Sequence, residues 1–133
     1  MLQIIEDQQP WCPEFDGEVK ASCLQTGEFA GPVGSNRGQL QFREGLIVRE
    51  AQTNERLYTP QYGYFECRAK GVSTPGFHVA LWMIGYEDLP EKGGENNIFE
   101  IFGKTVAPTS AVVGCGMYAR QDPLLADDFT QVR

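Results

Sequence analysis

The amino-acid sequence predicts an all-β fold of short strands and tight turns, and three observations carry that expectation. Fifteen glycines and eight prolines break the 133 residues into short runs. Many of those runs are rich in Val, Ile, Phe and Tyr, the residues that suit a pleated surface. None sustains the 3.6-residue apolar repeat of an amphipathic helix. In chain order the expected strands are Leu2 to Glu6, Val19 to Cys23, Leu40 to Phe42, Leu46 to Glu50, Tyr64 to Lys70, His78 to Ile84, Asn97 to Phe102 and Val112 to Tyr118. Gly27 to Asn36 and Gly85 to Gly94 read as loops from their glycine and proline content, and the second leads directly into Glu95. Asp122 to Phe129 reads as a connector into a further strand. With no repeat, low-complexity tract or linker, residues 1–133 are expected to form a single domain.

Alternation gives two of these strands their faces. In Tyr64 to Lys70, Phe65, Cys67 and Ala69 share one face while Tyr64, Glu66, Arg68 and Lys70 share the other. In His78 to Ile84, Trp82 lies on the same face as His78, Ala80 and Ile84. His78 is the only histidine in the chain, which disfavours a zinc site and assigns it a structural role. A Trp82 ring can cover the apolar face of a pyranose with its N–H free to donate, or pack in the core.

Charge and composition narrow the partners. Eleven Lys and Arg against eighteen Asp and Glu give a net charge of −7, which disfavours nucleic acid and anionic membrane. A neutral polysaccharide is indifferent to that charge. No apolar run approaches the length of a membrane span, and the first residues lack the charged-then-apolar layout of a signal peptide. The four cysteines, Cys12, Cys23, Cys67 and Cys115, follow no C-x-x-C spacing and read as free buried thiols, with disulfides as the alternative.

The segment from Gly94 to Gly103 carries the chemistry. Glu95 and Glu100 lie five residues apart on a strand pattern with Asn97 between them. An odd spacing puts two residues on opposite faces of a regular strand, and a one-residue bulge returns them to the same face. Two carboxyl groups leaning inward from one face can then approach about 5–5.5 Å, the separation of a retaining glycosidase.

These residues resemble the catalytic strand of glycoside hydrolase family 16, the laminarinase, agarase and carrageenase relatives, whose motif is Glu-x-Asp-x-x-Glu with a bulge. Glu95 matches the nucleophile and Glu100 the acid/base. Three further segments resemble the family's in order: Glu44 to Arg49 resembles its earlier Gly-x-Leu strand, Tyr62 to Lys70 resembles Tyr-Gly-x-Phe-Glu-x-Arg-x-Lys, and Pro75 to Gly85 resembles the strand Gly-x-x-x-Ala-x-Trp-Met-x-Gly. Together they span roughly residues 40 to 105. The resemblance implies an antiparallel two-sheet jelly-roll sandwich of the concanavalin A-like kind, of which this chain is the N-terminal part. Later strands, supplied by a second chain or by residues outside this sequence, would complete it. It also implies a cleft lined by Trp82, Glu66 and Arg68 and a polysaccharide substrate, with an extracellular setting suggested by that substrate. No cofactor is implied. Calcium, bound structurally by some family members, has no position that can be picked out here.

Two departures matter. Asn97 stands where most of the family has an aspartate, so the hydrogen bond to the nucleophile is kept and the charge is lost. The aromatic residue expected shortly before the first glutamate is absent, with only Leu89 in that stretch. The resemblance therefore implies a retaining, endo-acting hydrolase of β-linked polysaccharide, such as a β-1,3-glucan, with catalytic Glu95, Glu100 and Asn97. The alternative is a non-catalytic carbohydrate-binding relative of the same fold.

Overall fold

The computed structural model describes residues 2–38 and 45–133; the expected strand from Leu40 to Phe42 falls outside them. Among the described residues the regular structure is all-β apart from one α-helical turn and two short 3-10 turns. A small ladder joins β1 (Gly27–Glu28) to β2 (Glu55–Arg56). The principal sheet is an antiparallel meander of β3 (His78–Ile84), β4 (Glu95–Phe102), β5 (Val113–Tyr118) and β6 (Asp128–Val132), each strand beside the next in sequence. The helical turn α1 (Pro13–Asp16) starts on a proline and stops at Gly17, whose φ of 58° lies in the left-handed region. Its Glu14 receives two hydrogen bonds from Arg49, at 2.8 and 2.9 Å. Both side chains are exposed, so this tether adds little stability.

The connections of the meander are local and tightly bonded. Gly85 N–H donates to Gly94 C=O at 3.1 Å, which continues the β3–β4 pairing below the loop. A 3-10 turn at Gly103–Thr105 and a bridge between Val106 and Ala111 carry the chain from β4 to β5. After β5, Asp122 N–H donates to Ala119 C=O at 2.9 Å, closing a turn in which Arg120 takes φ 54°.

Four expected strands are irregular in the structure: Leu2 to Glu6, Val19 to Cys23, Leu46 to Glu50 and Tyr64 to Lys70. A strand needs a partner to receive its row of backbone hydrogen bonds, and these segments make isolated ones instead. Trp11 N–H donates to Val19 C=O at 2.9 Å, and Val48 N–H to Ser35 C=O at 2.9 Å. Residues 63–70 are exposed except for half-buried Phe65, so the alternation there does not produce a core face. All four cysteines are free as expected, but none is buried: Cys23 and Cys67 are exposed, Cys12 and Cys115 half-buried. Conversely, the expected connector runs into β6, which pairs with β5 from Asp128 onward.

Among the described residues no hydrophobic side chain is fully buried. The apolar residues of β3, β4 and β5 are mostly half-covered, and the residues that are buried cluster on β4 and its neighbours: Gly93, Glu95, Asn97, Gly103 and Gly114. The best-protected side chains are thus two polar ones, Glu95 and Asn97, with Asn97 2% exposed. No described helix is long and apolar enough to cross a membrane.

Candidate active site on the bulged strand

β4 carries the bulge that the odd glutamate spacing requires. Against β3, Ala80 faces Glu100 and Leu81 faces Phe99, but Trp82 faces Asn97, so Ile98 is the extra residue. The other side agrees, because Asn97 faces Gly116 while Glu100 faces Gly114. Three steps along β4 match two along β5. A bulge of this kind locally shifts the pleat by one residue. As a result Glu95, Asn97 and Glu100 share one face with their cross-strand partners Ile84, Trp82 and Ala80. Trp82 is half-buried directly opposite Asn97.

On the neighbouring strand Tyr118 faces Glu95, but the positions beside Asn97 and Glu100 are bare. Gly116 and Gly114 oppose Asn97 and Glu100, and neither contributes a side chain to that face. The Phe129 ring from β6 reaches over Gly114, where a methyl group would come within 2.6 Å of its Cζ and 3.6 Å of Glu100 Cβ. Phe129 stacks on Tyr118 at a centroid separation of 4.9 Å and an interplanar angle of 13°. Burial holds the Tyr118 phenol above its ordinary titration range, and the negative charges of Glu100 and then Glu95 push it further, against Arg120. Both carboxylates therefore act on one phenol.

Glu95 is held by a fixed set of donors. Asn97 Nδ2 donates to Glu95 Oε1 at 2.9 Å, linking the two buried polar side chains of β4. Arg120 Nε donates to Glu95 Oε2 at 2.9 Å, and Arg120 Nη2 donates to the same oxygen. The remaining acceptor of the pair, Asn97 Oδ1, is buried with no hydrogen-bond partner among the described residues. Buried polar atoms are normally satisfied, so an orphaned acceptor beside a buried carboxylate marks a position for a donor.

Two expected site residues, Glu66 and Arg68, stand apart from this face. They lie on the exposed, irregular segment 63–70, outside the four-stranded sheet. Their assignment to a strand face is corrected, since that segment has no strand partner among the described residues. His78 stacks on Phe102 at 4.5 Å with an interplanar angle of 7°, a packing contact at the far end of β3. Among the described residues no cluster of three or more His, Cys, Asp or Glu is arranged to hold a metal ion.

Sequence reasoning missed Arg120, which reaches Glu95 from 25 positions away through a turn. It also missed the glycine-lined stretch at 114–116, although isolated glycines inside a strand pattern signal close approach of another group. The loop that connects Arg120 to β6 is built by its own bonds. Ala119 N–H donates to Asp127 Oδ1 at 2.7 Å, and Leu124 N–H to Asp122 Oδ1 at 2.8 Å. Leu125 lies over Gly94, where a methyl group would stand 2.3 Å from its Cδ1. Comparison with family models, with curated proteins and with solved structures gives no match for the chain.

Proposed function

We propose that this chain carries the catalytic face of a retaining, endo-acting glycoside hydrolase that cleaves β-linked polysaccharide of the β-1,3-glucan type. The observation that carries this reading is the bulge at Ile98, which aligns buried Glu95 and half-buried Glu100 on one face, opposite Ile84 and Ala80, with Trp82 between them opposite Asn97. In the first step a Glu95 oxygen attacks the anomeric carbon while Glu100 gives its proton to the departing glycosidic oxygen. In the second, Glu100 takes a proton from water, the water oxygen bonds to the anomeric carbon, and Glu95 leaves as carboxylate. Asn97 orients Glu95 through its amide N–H and presents Oδ1 as an acceptor for a donor on the substrate side. Trp82 supplies an aromatic surface. The family 16 resemblance extends the proposal to a two-sheet sandwich completed beyond this sheet.

Reducing-end release from laminarin, lichenan, agarose and carrageenan tests the reading, run beside Glu95→Gln. Release by the parent and none by the variant, with laminarin still retarding both proteins on an affinity gel, is the expected result. Equal release by the two proteins refutes the assignment of Glu95. A second reading, a carbohydrate-binding relative without catalysis, is favoured by the guanidinium already neutralising Glu95. Retardation on laminarin with no release from any substrate selects it.

A further inference from the structure

Resting on the glycosidase reading, we infer that Arg120 is a positioning residue that sets the balance between the two displacement steps by hydrogen-bonding one oxygen of Glu95. An ionised carboxylate offers about four lone-pair sites, and the hydrogen bonds to Glu95 use them unequally. Both sites on Oε2 are taken by Arg120 Nε and Nη2, whereas among the described residues Oε1 accepts only from Asn97 Nδ2. The attacking atom is therefore Oε1, the oxygen with a site to spare.

The contact is built rather than incidental. Arg120 takes φ 54°, a left-handed conformation uncommon for a residue with a Cβ. The turn closed by Asp122 N–H on Ala119 C=O holds it there, and Asp127 Oδ1 anchors Ala119. The packing of Leu125 on Gly94 sets this loop on the residue before Glu95. The guanidinium is about half exposed, so replacing it leaves no buried cavity, while the carboxylate it meets is 8% exposed.

The consequence follows from charge. In the double displacement Glu95 attacks as a carboxylate and departs as one, but in the glycosyl-enzyme it is a neutral ester. Charge-assisted hydrogen bonds are roughly twice as strong as neutral ones. Arg120 therefore opposes formation of the Glu95–sugar bond and favours its breakage, which keeps the covalent intermediate from accumulating. No charge is gained or lost overall: the C1–Oε1 bond forms and breaks, the glycosidic oxygen takes one proton from Glu100, and water returns one.

The test is pre-steady-state release of nitrophenol from a nitrophenyl β-laminari-oligosaccharide, with acid-quenched intact mass read in parallel, for the parent, Arg120→Met, Arg120→Lys and Glu95→Gln. The parent is expected to release nitrophenol linearly with its mass unshifted. Arg120→Met is expected to slow the second step about 10- to 100-fold, the effect of losing hydrogen bonds to a charged group. It should then show a burst approaching one nitrophenol per chain and a mass raised by one glycosyl unit. Arg120→Lys keeps a charge near Oε2 and should restore most of the parent behaviour. A linear, burst-free Arg120→Met whose turnover and unfolding midpoint fall together overturns the inference, because that is the signature of a merely structural residue. If the parent and Arg120→Met both release nothing, or if Glu95→Gln matches the parent, the glycosidase reading itself fails and takes this inference with it.

Discussion

Replacing Asn97 by Asp puts a carboxylate in the place of the amide that now donates to Glu95 at 2.9 Å, and the cost can be worked out. At that separation and an effective dielectric of about 20, two unit charges repel by about 6 kcal/mol. Arg120 stays on Oε2 and compensates one of the two charges, so the folded variant avoids the repulsion by keeping one proton shared between the carboxyls. In the unfolded chain the introduced group titrates near its ordinary value of about 3.9. The folded state then binds the more protons, and the sign is fixed. Stability is fully present below about pH 4 and is lost as pH rises, by about 1.4 kcal/mol per pH unit. Between about pH 4 and about pH 7 the variant should lose about 4 kcal/mol relative to the parent, within the repulsion available. Urea denaturation of both proteins across that range gives the difference directly, with the slope m checked for constancy. On the proposed glycosidase reading the same proton should move the pH optimum upward. A parent-minus-variant difference that stays flat with pH would refute the reasoning, because it would mean that the side chain at 97 and Glu95 are apart or freely hydrated.

Other consequences can be measured alongside. Gly116→Ala should destabilise by about 2–4 kcal/mol, since φ there is 135° and the new methyl would stand 2.1 Å from the Asp128 carbonyl oxygen on β6. Gly114→Ala meets the Phe129 ring, which can turn aside, and should cost about 1–2 kcal/mol; thermal melts giving the opposite order would contradict this packing. Deleting Ile98 removes the bulge and sends Glu100 to the opposite face from Glu95, so sugar release should vanish while the circular dichroism of the sheet persists. Release that survives the deletion would show that the shared face is not needed. In an ultraviolet pH titration, Tyr118 should contribute the highest-pH tyrosine phase, lost in Tyr118→Phe and moved down in Glu100→Gln. Because its folded value is raised, the stability linked to it is complete below about pH 10, the unfolded value, and fades as pH rises through the folded one.

The central sheet was legible because its signals are local. His78 to Ile84 matches β3 to the residue, and the expected strands from Asn97 and Val112 overlie β4 and β5 within two residues at their starts. The runs are rich in apolar and β-branched residues, β3 and β4 are bounded by glycines, and all three neighbour one another in sequence. The bulge was legible too, from a spacing of five between glutamates on a strand. Tyr64 to Lys70 misled because alternation states which face a strand would bury without stating that a partner exists to pair with it. Arg120 was invisible for a related reason. Its role depends on a left-handed turn and on a contact between strand β4 and the loop beyond β5, and neither leaves a periodic trace in the residues around it.

The half-covered apolar side chains of the sheet also determine how the protein responds to temperature. The heat capacity of unfolding arises chiefly from apolar surface newly exposed to water, about 12–15 cal/mol/K per residue in ordinary domains. A chain in which no described hydrophobic side chain is fully buried has already hydrated part of that surface before it unfolds. Its heat-capacity increment should fall below the usual range, which flattens the curve of stability against temperature. Calorimetry should then show a broad, low-enthalpy endotherm, sharpening only when something covers the sheet.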